Sequence, residues 1–170
     1  MKIANYLVVF MFAALLVSCG DDKKKEEEKE TVKIGTTNST KKEDPNAVNV
    51  GLTGNDLMQF DKKEIRVKAG QKVTLNLRHI GKLDLVAMGH NFVLLKEGTD
   101  MQVFAAAASE AGKDNDWIPN GGADVIAHTK MIGGGQSTSV TFDAPAAGTY
   151  DFVCSFPGHV ALMKGKFIVE

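Results

Sequence analysis

Cysteine and histidine are scarce in this sequence of 170 residues, which holds two of the first and four of the second. So small an inventory excludes a disulfide-stapled scaffold and any metal chemistry that needs many ligands. Charge of one sign is not in excess, since 20 Lys and Arg stand against 21 Asp and Glu. The chain therefore lacks the basic surplus that nucleic-acid binding calls for. Its seven methionines are scattered, with no methionine-rich tract. Nor is any apolar run long enough to cross a bilayer: Leu7 to Val17 covers about 11 residues, where a spanning helix needs about 20. No internal repeat is present, and the length fits one ordinary globular domain plus extra segments.

That short run, preceded by Lys2, reads as an export signal over residues 1–18. It ends in Leu16-Val17-Ser18-Cys19, which resembles the lipobox of bacterial lipoproteins and implies that Cys19 is lipidated and becomes the new N-terminus. Residues 19–46 run through Asp21-Asp22-Lys23-Lys24-Lys25-Glu26-Glu27-Glu28 into a Thr, Asn and Lys-rich stretch with little to bury. They read as a solvated tether with a reach on the order of 30 Å if it is a flexible coil, or as a short Glu–Lys-paired helix within the same tether. With the Cys19 sulfur taken up by lipid, Cys154 would be the single free thiol of an exported chain, without an intramolecular partner.

Residues 47–170 read as an all-β domain. Val73, Leu75 and Leu77 alternate with Thr74, Asn76 and Arg78, the period of a half-buried strand. Ser139–Asp143 and Thr149–Cys154 alternate likewise across the turn material Ala144-Pro145-Ala146-Ala147-Gly148. Short strands separated by Gly and Pro turns favour a β-sandwich. One segment departs from that period. Thr99-Asp100-Met101-Gln102 has the form of a capping box, Ala105–Ala108 is helix-forming and Gly112 is a stop, so a single short helix is expected between strands.

The chemistry lies in Cys154-Ser155-Phe156-Pro157-Gly158-His159-Val160-Ala161-Leu162-Met163, which sets a thiolate, an imidazole and a thioether at the end of a strand. Cu(I) favours soft sulfur and Cu(II) accepts imidazole, so a His₂Cys plane with a weak axial Met serves both oxidation states. His90, in Ala87-Met88-Gly89-His90-Asn91, supplies the second imidazole if a sandwich brings the two strand ends together. Taken singly, Cys154 or Met163 would be core filler; together with His159 and His90 they read as ligands. Zinc is a poorer fit, because a structural zinc site closes with four strong ligands and a thioether is a weak one. His79, ending an alternating strand, reads as a packed or pH-sensitive histidine and His128 as a solvent-facing one; neither is assigned to copper.

The same segment, together with Met88-Gly89-His90-Asn91, Gly54-Asn55-Asp56-Leu57-Met58-Gln59-Phe60 and Val125-Ile126-Ala127-His128-Thr129-Lys130, resembles the azurins of the cupredoxin family over essentially all of 47–170. The resemblance implies a Greek-key β-sandwich with one helical flap and one copper ion held by His90, Cys154 and His159. It also implies a weak axial Met163 and the Gly89 carbonyl approaching from the other side. It further implies an apolar docking patch around the His159 ring edge, built from Met58, Met88, Phe156, Pro157 and Gly158, with Leu83 and Ala161 beside it. The chain departs from the family in two ways: it lacks the usual disulfide of the N-terminal strands, and Phe92 stands where a buried tryptophan is usual, with Trp117 in the flap region instead.

The function implied is a non-enzymatic, monomeric one-electron carrier that exchanges electrons with redox proteins such as c-type cytochromes, oxidases or reductases. It would sit at the bacterial cell envelope, on the periplasmic side or at the outer membrane, held through its N-terminal lipid only. A copper buffer or delivery protein of the envelope is the alternative, and the scattered methionines weigh against it. A copper oxidase or nitrite reductase would need more histidines than four. Pro157, with Phe156 and Leu162 packed, is expected to restrain the ligand loop.

Overall fold

The computed structural model describes residues 45–170. The expected signal segment, Cys19 and all but the end of the tether lie outside them. Nine strands run as β1 (Ala47–Asn55), β2 (Gln59–Phe60), β3 (Glu64–Val67), β4 (Lys72–His79), β5 (Val93–Leu95), β6 (Val125–His128), β7 (Ser137–Asp143), β8 (Gly148–Val153) and β9 (Lys164–Val169). They form a four-stranded sheet of order β2-β1-β4-β7 and a five-stranded sheet of order β3-β9-β8-β5-β6. β1 runs parallel to β4, and β3 parallel to β9, while the other pairs are antiparallel. The chain passes repeatedly from one sheet to the other, giving the sandwich that the short alternating strands predict, in the Greek-key form that the resemblance implies.

Period two sets what is buried. In β4, Val73, Leu75, Leu77 and His79 point inward while the residues between them are half-buried or exposed. Val73, Leu75 and Leu77 meet Leu52, Phe92, Phe152 and Phe167 in one core, where Phe92 and Phe152 lie 5.6 Å apart, ring centre to ring centre. Phe92 is fully buried, so the core position is filled by an aromatic ring without a tryptophan. With Cys154 unpaired and buried, this packing holds the described domain without a disulfide.

The flap is α2 (Met101–Ala111), which buries Phe104 and Ala108 against a second cluster with Val93, Leu95, Ile118, Val153 and Val160. Its cap is Asp100, one residue later than a Thr99 capping box would place it. The Asp100 carboxylate accepts from the N–H groups of Gln102 and Val103 at 2.8 and 3.1 Å, and a carboxylate satisfies those orphan donors better than a hydroxyl. A second, four-residue helix, α1 (Leu85–Met88), was not expected; its one sequence signal is the N-cap Asp84, which accepts from the Ala87 N–H. No helix among the described residues is long and apolar enough to cross a membrane.

Candidate metal centre

Two chain segments bring the ligands together. His90 precedes β5 and is pinned to Ile132 by a reciprocal pair of backbone bonds, each 2.9 Å. Cys154 follows β8, and its N–H donates to the Met163 carbonyl at 2.9 Å, so the loop between them closes on itself. Within that loop the His159 and Met163 N–H groups donate to the carbonyls of Phe156 and His159. Gly158 stands at φ 81°, a left-handed conformation that costs a side-chain-bearing residue and that glycine adopts freely. The ring of His159 is thus set by a short, hydrogen-bonded turn (His159–Ala161) rather than by a mobile loop.

The donor atoms converge. Cys154 Sγ lies 3.6 Å from His159 Nδ1, 4.0 Å from His90 Nδ1 and 3.7 Å from the Gly89 carbonyl oxygen. The three side-chain donors all fall within 4.8 Å of one another. An ion bound at about 2.0–2.3 Å by two nitrogens and a thiolate spreads three planar ligands to edges of roughly 3.6–3.8 Å. The two sulfur–nitrogen edges, 3.6 and 4.0 Å, are close to that size. Met163 is fully buried, and its Cε lies 3.3 Å from where a Cβ on Gly54 would stand, with His90 Cδ2 at 2.7 Å. Gly54 thus leaves room that any larger residue would take from the His90 ring. On the other side, a Cβ on Gly89 would stand 2.8 Å from the Phe156 ring.

A cation resolves a hydrogen-bonding conflict in this cluster. Both His90 nitrogens face carbonyl oxygens: Nε2 lies 2.9 Å from Asn55 O and Nδ1 lies 2.8 Å from Gly89 O. A neutral imidazole carries one proton, so one lone pair must face an oxygen lone pair. Burial lowers the His90 pKa, opposing a second proton. With Nε2–H donating to Asn55, an ion in front of Nδ1 satisfies nitrogen, sulfur and carbonyl together. Desolvation likewise pushes the Cys154 thiol up to about 11, against the pull of the Asn91 and Phe156 N–H groups on its sulfur. Burial, with the nearby histidines, brings His159 down to about 4. The copper-free cluster is therefore a thiol with two neutral imidazoles, and a metal must displace the thiol proton.

Gly89, His90, Cys154, His159 and Met163 thus stand together. His159 is 3% exposed and the other three side-chain donors 0%, so its ring lies nearest the surface. His79 is buried and stacks on His90 at 4.1 Å and 14°. The Gly81 N–H donates to its Nδ1, which leaves Nε2–H to donate to the Met88 carbonyl at 2.9 Å. His128 is exposed. Pro157 and Gly158 are exposed, while Met58, Met88 and Phe156 are half-buried. Leu162 is not packed as expected: it is 52% exposed, because the turn after His159 aims it outward while Met163 takes the interior. Leu57, Val86 and Ile80 are also exposed apolar residues on segments flanking the site, and sequence reasoning passed over them since no period marks a loop residue's direction.

Asn91 was quoted in the sequence only as the neighbour of His90. In the structure it is buried, and its carboxamide accepts from the Ser155 N–H at 2.9 Å and donates to Ser155 Oγ at 2.8 Å, joining the two ligand segments. It also reaches the Asp116 carbonyl at 3.4 Å. Asp116 and Trp117 are successive left-handed residues, at φ 51° and 54°, in the flap. Such a conformation costs roughly 1–2 kcal/mol for each residue with a Cβ, so the surrounding contacts must hold it.

Comparison with known proteins agrees with this geometry. Residues 46–170 match the family model described as copper binding proteins, plastocyanin/azurin family. Azurin-1 of Alcaligenes xylosoxydans xylosoxydans is 55% identical over 120 residues, covering 68% of this chain and 92% of the relative. Azurin of Bordetella pertussis is 53% identical over 120 residues, covering 68% and 79%. Among solved structures, auracyanin A, a "blue" copper protein of Chloroflexus aurantiacus, superposes with a TM-score of 0.68 at 34% identity, over 73% of this chain and 99% of its own. An azurin of Methylomonas sp. strain J gives 0.65 at 35% identity, over 72% and 97%. With sandwich, donor cluster and sequence in agreement, this chain belongs to the plastocyanin/azurin family of blue-copper proteins.

Proposed function

We propose that the protein is a one-electron carrier whose single copper would be held by His90, Cys154 and His159, with Met163 and the Gly89 carbonyl as weaker donors. Copper, when bound, supplies a one-electron couple between Cu(I) and Cu(II). The chain's own residues supply rigidity: the Asn91 carboxamide ties the Cys154 side to the His90 side, and Asn55 holds the His90 tautomer. Donors preset in this way need little movement when charge changes. The observation that carries the reading is the convergence of three buried donors, two imidazoles and a thiol, within 4.8 Å of one another. A site so closed suits electron transfer rather than substrate turnover, and we place the protein among carriers rather than enzymes.

Electrons would leave at the His159 edge. Pro157, Gly158, Met58, Met88 and Phe156, with Leu57, Leu83, Val86 and Leu162, would form the docking surface for redox proteins such as c-type cytochromes, oxidases or reductases. Weak redox encounters bury less than about 1,200 Å² in total, which a patch of this kind supports. We further propose that the carrier works as a monomer at the bacterial cell envelope, on a lipid anchor at Cys19, with 19–46 as the tether of a 47–170 domain. The lipobox-like Leu16-Val17-Ser18-Cys19 supports the anchor. An envelope copper buffer is disfavoured because its ion must exchange readily, whereas these donors are shut inside the fold.

Absorption and voltammetry on the copper-loaded protein test the function. Intense thiolate-to-copper colour with reversible one-electron cycling is expected. A colourless, rapidly exchanging copper complex would instead identify a buffer.

A further inference from the structure

We propose, building on that reading of the site, that Trp117 is a positioning residue for the copper centre. It is the single tryptophan of the sequence. Its ring meets the Phe156 ring at 5.2 Å and 49°, and Phe156 in turn meets His159 at 4.7 Å and 48°. Both pairs fall in the separation that aromatic rings favour. Phe156 acts on two donors at once. Its ring braces His159, and its N–H donates to the Cys154 sulfur. Gly89 presents no Cβ to that ring, so Phe156 lies tight against the Gly89 backbone on one side and depends on Trp117 on another.

The flap is shaped to deliver this contact. Trp117 holds a left-handed backbone, an outlier for a bulky residue. Its N–H donates to the Gly112 carbonyl at 3.0 Å, and the Asp116 N–H donates to the Lys113 carbonyl at 3.1 Å, so the turn is anchored to the end of α2. Asn91 touches the Asp116 carbonyl from the ligand side. Trp117 also packs against the cluster that holds Phe104 and Ile118. One ring thereby couples the flap to the Phe156 ring, keeps water from it, and fixes the direction of the N–H that reaches sulfur. Second-shell contacts of that kind set ligand orientation and the potential of the metal.

The test compares Trp117→Phe, Trp117→Leu and Trp117→Ala with the parent protein, both copper-loaded and copper-free. In Trp117→Leu and Trp117→Ala, a shifted reduction potential and a several-fold slower electron self-exchange are expected, with both restored toward the parent by Trp117→Phe. In the copper-free protein, amide hydrogen exchange at Phe156 should quicken about tenfold in Trp117→Leu. A purely structural filler would lower the melting temperature of the variants and leave potential and Phe156 exchange unmoved, and that result overturns the proposal. If Trp117→Ala does not fold, the Phe and Leu pair decides: equal potentials refute the positioning role. Failure of the parent protein to turn blue would instead strike at the copper reading itself, so the two failures are separable.

Discussion

Acidifying the copper-free protein is expected to remove stability through one named group. His159 falls from 6.5 to about 4 because burial disfavours its charged form, with His90 and His79 adding to the effect. Its folded pKa lies below its unfolded one, so the unfolded chain binds the extra proton. Stability is therefore whole above about pH 6.5 and is lost as pH falls toward about 4. At about 1.36 kcal/mol per pKa unit, that shift is worth about 3 kcal/mol. The ring is 3% exposed, so solvent screening takes little from this figure. Against a typical domain stability of about 5–15 kcal/mol the loss is large. Urea unfolding of the metal-free protein at several pH values between about 7 and about 4 measures it. A His159→Gln variant has no proton to take there, so its stability should fall over the same range by about 3 kcal/mol less than the parent's. Parallel curves for parent and variant would refute the reasoning, because the lost stability would then belong to other groups. On the alkaline side the sign reverses. Cys154 is raised from 9.0 to about 11, so its contribution is whole below about pH 9 and lost as pH climbs through about 11.

Cys154→Ser should abolish the blue absorption while circular dichroism of the copper-free domain stays native, since the sandwich is held by its two packed sheets; an intensely blue variant would exclude Cys154 as the thiolate ligand. Val86→Lys should slow bimolecular self-exchange several-fold at low salt with an unchanged spectrum, because two like charges must approach face to face. Val86 is 81% exposed and so tests the patch with no packing cost, whereas half-buried Met88 has a carbonyl that takes the His79 proton; an unchanged rate, read from NMR line broadening, would move the docking surface elsewhere. Cys19→Ser should release the protein from membranes on fractionation, and equal retention would count against the lipid anchor.

The sequence by itself determined what depends on local order. Period-two alternation marked β4 over the same residues that the structure gives, because side chains on alternate faces need only the pleat. Part of the donor cluster was legible too, since Cys154 and His159 lie on one turn-closed loop whose spacing is local. Tertiary structure decided what depends on distant segments meeting. That Gly54 and Asn55 meet the His90 ring follows from the end of β1 reaching the segment before β5, and that Asn91 ties to Ser155 follows from that segment meeting the Cys154 loop; neither meeting is encoded by spacing. The burial of Met163 beside the exposure of Leu162 was likewise settled by a turn, since two neighbouring apolar residues look alike until the backbone aims them. Trp117 gained its place against Phe156 in the same way, through a left-handed backbone in the flap that only the packed whole can hold.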